Sequence, residues 1–194
     1  MAVRKTLQIG HPRLKASNSP IKYLLSSRTQ KLIKDLKDTM RKNELVGIAA
    51  PQIGENYQVF VTEIKKTKSR NGKEQDEFRV YINPKVTYLS KEENIIYEGC
   101  GSVVNGNLFG PVKRPKEVTV EAIDKKGKIF QLKCDGLLAR VIQHEFDHLQ
   151  GIMFTEKVSE YEKLMDYEHY KRYIKKSPLQ ISNSKITIKE IKYL

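Results

Sequence analysis

Apolar residues recur at helical spacing in two stretches of the chain. In residues 26–43 they follow one another every three or four positions, which predicts an amphipathic helix capped by Ser26 or Ser27. Residues 136–149 show the same spacing, and Gly151 supplies a stop just beyond them. Both helices should therefore bury one apolar face against the rest of the protein.

Apolar and polar residues alternate in other parts of the chain, which predicts strands. We expect strands over residues 57–64, 78–83, 85–89, 94–97, 117–124 and 129–133. Residues 65–77 should form an exposed hairpin tip, and residues 47–52 an irregular loop. Strands on both sides of the second helix predict a single α+β domain, with antiparallel or mixed sheets around that central helix.

The C-terminal part of the chain has a weaker pattern. Residues 159–176 should form a C-terminal helix that ends near Pro178. Residues 177–194 are rich in isoleucine and lysine but have no clear pairing partner, so a last strand and a loose tail are both compatible with them. We therefore predict a main domain over residues 1–176 and a separate C-terminal segment over residues 177–194.

The composition of the chain limits the compartment in which the protein works and the partners that it can bind. Its 194 residues suit one domain, and no run approaches the roughly 20 apolar residues that a membrane span needs, so we expect a cytoplasmic protein. The two cysteines, Cys100 and Cys134, provide no disulfide framework, and a reducing compartment leaves both thiols available. The formal charge of +13 would draw the protein toward polyanions such as ribosomal RNA, without specific recognition of nucleic acid, but the lysines are dispersed, which favours a simple solvated surface.

Candidate chemistry is concentrated in the second helix, in the sequence His-Glu-Phe-Asp-His at residues 144–148. Two imidazoles four residues apart on a helix differ by about 40° of rotation and roughly 6 Å of rise, so both can bind one ion. Glu145 follows the first histidine and can act as general base on a water at the metal, then protonate the leaving group. An open catalytic site is favoured, because structural zinc sites usually close the shell with four protein ligands.

A third protein ligand is needed, and two classes of candidate remain. Metalloproteases with this motif take a downstream histidine or glutamate, and this chain offers Glu156, Glu160, Glu162, Glu168 and His169. Cys100 competes with them, because flanking glycines allow close backbone approach and a thiolate binds a transition metal more strongly than a carboxylate. Spacing alone does not choose between these ligands.

Three ordered segments resemble the signature motifs of the peptide deformylases. They are Gly-Ile-Ala-Ala-Pro-Gln at residues 47–52, Glu-Gly-Cys-Gly-Ser at 98–102 and Gln-His-Glu-Phe-Asp-His at 143–148. The similarity extends over about residues 4–155, and three motifs in order are far more specific than the helix motif alone. The resemblance implies a metal-dependent hydrolase that removes the formyl group from the N-terminal formylmethionine of new polypeptides.

The same resemblance implies a role for each site residue. The implied metal ligands are Cys100, His144 and His148. Glu145 would be the acid and base, while the side-chain amide of Gln52 and the backbone N–H of Gly101 would stabilise the oxyanion. The implied pocket for the methionine side chain contains Val46, Gly47, Leu137, Arg140 and Val141. Iron(II) is the favoured metal, although zinc or nickel also suits these ligands.

Two positions depart from the family pattern. Peptide deformylases usually carry a glycine where this chain has Leu45, and a leucine after the cysteine where it has Gly101. Neither position is a metal ligand or an acid/base group, so the chemistry should survive. Loss of a leucine side chain at residue 101 should open that wall of the site and alter substrate or inhibitor preference.

Two other functions stay open at this level. A zinc endopeptidase would use the same helix with a downstream third ligand, and Cys100→Ala would hardly affect it. A ribosome-associated module with a deformylase fold would lack turnover, but this chain keeps every implied ligand and the acid/base residue, which argues against it.

Overall fold

A computed structural model describes residues 3–66 and 75–194 of the chain. Its helices are α1, Ser27–Lys42; α2, Gly136–Leu149; α3, Tyr167–His169, which continues as a π-helical turn over Tyr170–Ile174; and α4, Pro178–Asn183. Its strands are β1, Gly47–Ala49; β2, Val59–Ile64; β3, Asp76–Leu89; β4, Glu93–Gly99; β5, Leu108–Pro115; β6, Glu117–Ile123; β7, Ile129–Asp135; β8, Met165–Asp166; and β9, Ile188–Tyr193. Among the described residues, none of the helices combines the length and the apolar character of a membrane span.

The strands form two antiparallel sheets within the described residues. The larger sheet has the order β1-β2-β3-β6-β7-β9, and the smaller has the order β4-β5-β8. The predicted hairpin is present, since β6 and β7 pair without a register shift from Glu117 opposite Asp135 to Ile123 opposite Ile129. The α+β class expected from the sequence is confirmed, with the two predicted long helices as α1 and α2.

Two hydrophobic cores lie on opposite faces of the larger sheet. Because side chains alternate along a strand, Phe60 of β2 packs in a core with α2, while Val59 and Val61 pack in a core with α1. The predicted apolar stripe of α1 fills this second core with Leu32, Ile33, Leu36 and Met40. A third core holds Cys100 at the end of the smaller sheet. The central helix and the cysteine are therefore both fixed by packing.

The C-terminal helix is shorter than the sequence pattern predicts. Only a 3-10 turn over Tyr161–Lys163 precedes α3 in this stretch, and α3 begins at Tyr167, so the first half of the helix expected over residues 159–176 is wrong. Met165 lies instead in strand β8, where it pairs with Phe109 of β5, and Leu164 packs against the third core. Tertiary pairing here overrides a local helical preference.

Smaller differences concern the loops and strand ends. Residues 47–52, expected to be an irregular loop, contain the strand β1 and a 3-10 turn over Ala50–Ile53. Strands β3 and β5 also differ, since β3 joins two predicted strands into one and β5 has no counterpart in the predicted set. Most of the predicted hairpin tip, residues 67–74, lies outside the described residues.

The C-terminal segment packs on the main sheet and on the start of α2. Strand β9 pairs with β7, with Ile191 opposite Leu132. The backbone N–H of Leu137 donates a hydrogen bond to the carbonyl oxygen of Ser184, which satisfies one of the free N–H groups in the first turn of α2. The segment therefore contains a last strand. The domain boundary at residue 176 stays a prediction.

Candidate metal centre

Cys100, His144 and His148 come together although the cysteine is distant from the histidines in sequence. Cys100 directly follows β4, and the two histidines lie one turn apart on α2. One ligand atom from each residue lies within 4.8 Å of the others, and the Sγ of Cys100 is 3.3 Å from the Nε2 of His148. A thiolate and two imidazole nitrogens at this spacing fit a single transition-metal ion.

A buried carboxylate orients the first of these imidazoles. The Nδ1 of His144 lies 2.9 Å from an oxygen of Glu98, which leaves Nε2 facing the other two ligands. Arg114 donates two hydrogen bonds to the same carboxylate, at 2.7 and 3.0 Å. Burial raises the pKa of Glu98, but Arg114 and His144 outweigh burial and hold it well below its usual range. Glu98 is therefore a fixed negative charge behind His144.

The same carboxylate belongs to a larger set of buried charges, which we call the buried ion network: Glu98, Arg114, Arg140 and Asp147. Arg114 links Glu98 to Asp147, at 2.5 Å from the latter. Arg140 donates to Glu98 at 2.9 Å and also contacts Asn94. Two carboxylates and two guanidinium groups balance one another, so the network connects β4, β5 and α2 without an excess buried charge.

Glu145 lies on α2 against the backbone of β1. A Cβ built on Gly47 would lie 2.6 Å from Oε1 of Glu145, so only glycine lets the carboxylate occupy this position. Its Oε2 is buried and has no hydrogen-bond partner among the described residues. Burial raises the pKa of Glu145 to about 7. A carboxyl group with a free oxygen and a pKa near neutrality can both accept and return a proton.

Two hydrogen-bond donors flank the sulfur of Cys100. The side chain of Gln52 is oriented by its Oε1, which accepts from the backbone N–H of Ala49 at 2.8 Å, so its Nε2 faces the Sγ of Cys100 at 3.5 Å. The backbone N–H of Ser102 donates to the same sulfur at 3.4 Å. Both donors therefore hold the sulfur in place beside the two imidazoles. Gly101 lies between Cys100 and Ser102 in the chain and lines the cleft that opens over this site.

A broad cleft opens over these groups and includes the predicted pocket. Its lining contains Val46, Gly47, Leu137, Arg140 and Val141, together with Glu145 and Cys100. The guanidinium of Arg140 is occupied by the buried ion network, so this residue borders the cleft through the rest of its side chain. The C-terminal part of the chain forms another side of the cleft, which the sequence did not predict, from residues 167–173, 175–176, 180–181 and 184–185.

The downstream ligands expected for an endopeptidase lie elsewhere. Glu156 pairs with Lys15 at 2.5 Å, and the ring of His169 lies 3.3 Å from Asp166. Within residues 3–66 and 75–194, no downstream candidate joins the two helix histidines in a possible metal-ligand group. The third member of that group is Cys100.

The buried ion network is the functional feature that sequence reasoning missed. Asp147 offered a signal, because a charged residue on the buried face of a helix requires a partner. Glu98 stands in a motif noted for its family resemblance, but nothing local links it to Arg114. Cys134 is fully buried in the first core, where burial raises the pKa of its thiol, and this indicates a structural role.

Comparison with known proteins gives matches over most of the chain. The family model described as polypeptide deformylase matches residues 3–164. Peptide deformylase 2 of Clostridium perfringens is 40% identical over 166 residues, which cover 86% of this chain and 99% of the relative. Peptide deformylase of Psychrobacter arcticus is 38% identical and covers 82% of this chain and 81% of the relative.

Solved structures give the same match. A class I type b peptide deformylase from Acinetobacter baumannii, bound to Met-Ala-Ser, has a TM-score of 0.76 and 30% identity over 81% of this chain and 100% of its own. A peptide deformylase from Synechococcus elongatus in complex with actinonin has a TM-score of 0.73 and 29% identity, over 84% of this chain and 82% of its own.

Proposed function

The chain belongs to the peptide deformylase family, and we propose that Cys100, His144 and His148 hold its metal ion. It is accordingly a metal-dependent hydrolase that removes the formyl group from the N-terminal methionine of new polypeptides and releases formate. The observation that carries the ligand assignment is the convergence of one sulfur and two ring nitrogens within 4.8 Å.

We assign the proton transfers to Glu145. A bound metal would supply Lewis-acid polarisation of the formyl carbonyl and lower the pKa of the attacking water. The free oxygen of Glu145 takes a proton from this water as the water oxygen bonds to the formyl carbon. Glu145 then gives the proton to the methionine nitrogen, and the C–N bond breaks to yield formic acid and an amine. The formic acid gives its proton to the amine, directly or through water, which leaves formate and the ammonium form of the methionine N-terminus.

The oxyanion that forms between these two proton transfers needs hydrogen-bond donors. We assign this role to the Nε2 of Gln52, which faces the sulfur of Cys100, and to the backbone N–H of Gly101, the next residue in the chain. The fixed amide orientation of Gln52 supports its assignment, because a donor that is already oriented needs no rearrangement during reaction. Glu98 acts as a positioning residue, through its hydrogen bond to His144.

The methionine side chain should occupy the cleft beside Glu145. Val46, Gly47, Leu137 and Val141 give this part of the cleft an apolar surface, and Arg140 borders it from the buried ion network. An apolar pocket suits the unbranched thioether side chain of methionine.

We propose iron(II) as the native metal. One thiolate and two imidazoles suit iron(II) and zinc alike, and the resemblance to peptide deformylases favours iron. Enzyme prepared without oxygen should therefore contain iron and lose activity in air, while enzyme loaded with zinc or nickel should be stable in air. Metal analysis that finds zinc in enzyme prepared anaerobically from cells would contradict iron as the native metal.

We also propose that the enzyme works in the cytoplasm and approaches the ribosome through its basic surface. The formal charge of +13 supports this, because such a charge attracts ribosomal RNA without sequence specificity. Co-sedimentation with ribosomes should then weaken steeply as salt rises. Binding that is unaffected by salt would contradict an electrostatic approach.

Formate release from a formyl-Met peptide tests the function directly. The assay is run anaerobically with iron(II), and the unformylated peptide is the control. Cys100→Ala should lose both metal and formate release, whereas Cys134→Ala, which changes the other buried cysteine, should keep both. Cleavage of internal peptide bonds with metal retained in Cys100→Ala would instead indicate an endopeptidase.

A further inference from the structure

The two departures from the family pattern, Leu45 and Gly101, touch one another. A Cβ built on Gly101 would lie 3.2 Å from Cδ1 and 3.4 Å from Cδ2 of Leu45. Both residues line the substrate cleft. They are distant in sequence, because Leu45 lies in the turn between α1 and β1 whereas Gly101 follows the metal ligand Cys100.

Space, and not backbone conformation, explains the glycine at residue 101. Gly101 is not among the glycines with positive φ, so an L-residue can adopt its backbone conformation. A Cβ at residue 101 would lie so close to the methyl groups of Leu45 that these would have to shift by a few tenths of an ångström. A larger side chain at residue 101 would therefore crowd Leu45, and this contact couples the two departures.

The turn before β1 holds Leu45 in this place. Its backbone N–H donates to the carbonyl oxygen of Met40 at 3.0 Å, and Glu44 before it adopts a positive φ of 52°. The half-buried side chain packs against the second core. The turn therefore holds the side chain of Leu45 at the cleft. This side chain covers the space at residue 101 that was expected from the sequence to be open.

We propose that Leu45 determines specificity by forming the hydrophobic wall of the substrate cleft beside Gly101. This inference rests on the proposed function, in which the N–H of Gly101 binds the oxyanion. Leu45 excludes water next to that donor and contacts an apolar part of the formyl-methionine group. The wall is made by the turn after α1 instead of by the residue after the metal-binding cysteine.

A double-mutant cycle with formyl-Met-Ala-Ser as substrate tests this role. Leu45→Gly should raise KM about tenfold with little change in kcat, because lost apolar contact in a pocket costs roughly 10- to 200-fold. Gly101→Leu alone should lower kcat/KM through overlap with Leu45. The double variant should return KM to within about threefold of the wild-type value, since contacting residues are not additive.

A matched control distinguishes a role of Leu45 in substrate binding from a role in stability alone. Leu24 is also half-buried and packs against the same core, but it does not line the cleft. Leu24→Gly should lower the melting temperature as Leu45→Gly does, without changing KM.

Several outcomes would overturn the inference. An unchanged KM in Leu45→Gly, or a double variant with a KM no lower than that of Leu45→Gly, would overturn it while wild-type formate release leaves the proposed function intact. Absence of formate release from the metal-loaded wild-type enzyme would overturn the proposed function and this inference together.

Discussion

The floor of the substrate cleft and its C-terminal wall differ in burial and in the contacts that hold them. We define the cleft floor as Cys100, His144, Glu145, His148 and the buried ion network, and the C-terminal wall as residues 167–185. Cys100 and Glu145 are each 4% exposed, whereas Tyr173 and Ile181 of the wall are 59% and 51% exposed. Charge-assisted hydrogen bonds fix the floor, while the wall depends on ring stacking and on the hydrogen bonds that Gln180 accepts from and donates to the backbone of Tyr97.

This difference indicates that the floor carries the catalytic groups and that the wall can vary with the substrate. The floor is largely buried, so most of its polar atoms pair with one another and errors of position are costly; the buried side-chain atoms without a partner among the described residues of the floor are Oε2 of Glu145 and Nδ1 of His148. The wall stays near solvent, where a lost contact is partly replaced by water. Substitutions in the floor should therefore have large effects, and substitutions in the wall should change substrate preference only modestly.

The largest effect is expected at Glu145. Glu145→Gln keeps the size of the side chain beside Gly47 but removes its ability to take a proton, so turnover should fall by roughly 10²- to 10⁴-fold. The metal content should stay at the wild-type level, because Glu145 is not a member of the ligand cluster. Formate release and metal analysis on the same preparation check both points. Turnover at the wild-type rate would exclude Glu145 as the acid and base.

The buried ion network should show the next largest effect, on stability. Arg114→Met leaves the carboxylates of Glu98 and Asp147 buried without their shared cation, which should cost about 3–5 kcal/mol of unfolding free energy. Denaturant unfolding measures this loss. Lys113→Met is the matched control on the same strand, because the ion pair of Lys113 with Glu93 is exposed and should contribute little. Equal losses of unfolding free energy in both variants would show that burial does not make the ion pairs of the floor more important than those of the surface.

The sequence could predict the part of the floor that depends on local periodicity and motif. Helix α2 has the predicted bounds, and it carries His144, Glu145 and His148 on faces set by helical spacing. Cys100 needed the family resemblance, because spacing left several downstream ligands open. The buried ion network could not be read in the same way, since Glu98 and Arg114 meet only when β4 pairs with β5.

The segment that leads into the C-terminal wall, and the contact beside Gly101, were beyond prediction for the same reason. Residues 159–166 have helical periodicity, yet Leu164 and Met165 gain more from the third core and from pairing with β5 than from a helix. The contact between Leu45 and Gly101 likewise joins two loops that no local pattern connects. The sequence suggested two separate departures and an open wall at residue 101. In the structure, the side chain of Leu45 lies against the position that a side chain at residue 101 would take.

Within the wall, Tyr170 should have the largest effect. Its ring stacks on Phe109 with centroids 4.1 Å apart and an interplanar angle of 7°, and it lies near Tyr97 of β4. Such a pair contributes about 0.5–1.5 kcal/mol beyond its buried area, so Tyr170→Ala should raise KM roughly threefold to tenfold and leave kcat nearly unchanged. Tyr170→Phe keeps the ring and should keep KM. A fall in kcat with constant KM would place Tyr170 in the chemistry and break the distinction between wall and floor.

The smallest effect should come from the charges on the rim of the cleft. Lys42, Arg172, Lys176 and Lys185 line it, and none of them forms an ion pair within the part of the chain that the structure describes. Formyl-Met peptides that continue with glutamate should therefore have a KM roughly twofold to fivefold below that of glutamine analogues at low salt, because clustered cations raise the local concentration of anions.

Salt and a matched pair of variants sharpen this last prediction. The advantage of the glutamate peptides should disappear near 1 M salt, where the screening length falls to about 3 Å. Lys185→Gln should reduce it, whereas Lys126→Gln, in the exposed turn between β6 and β7, should not. An advantage that persists at high salt would mean that the wall recognises glutamate by direct contact and is as specific as the floor.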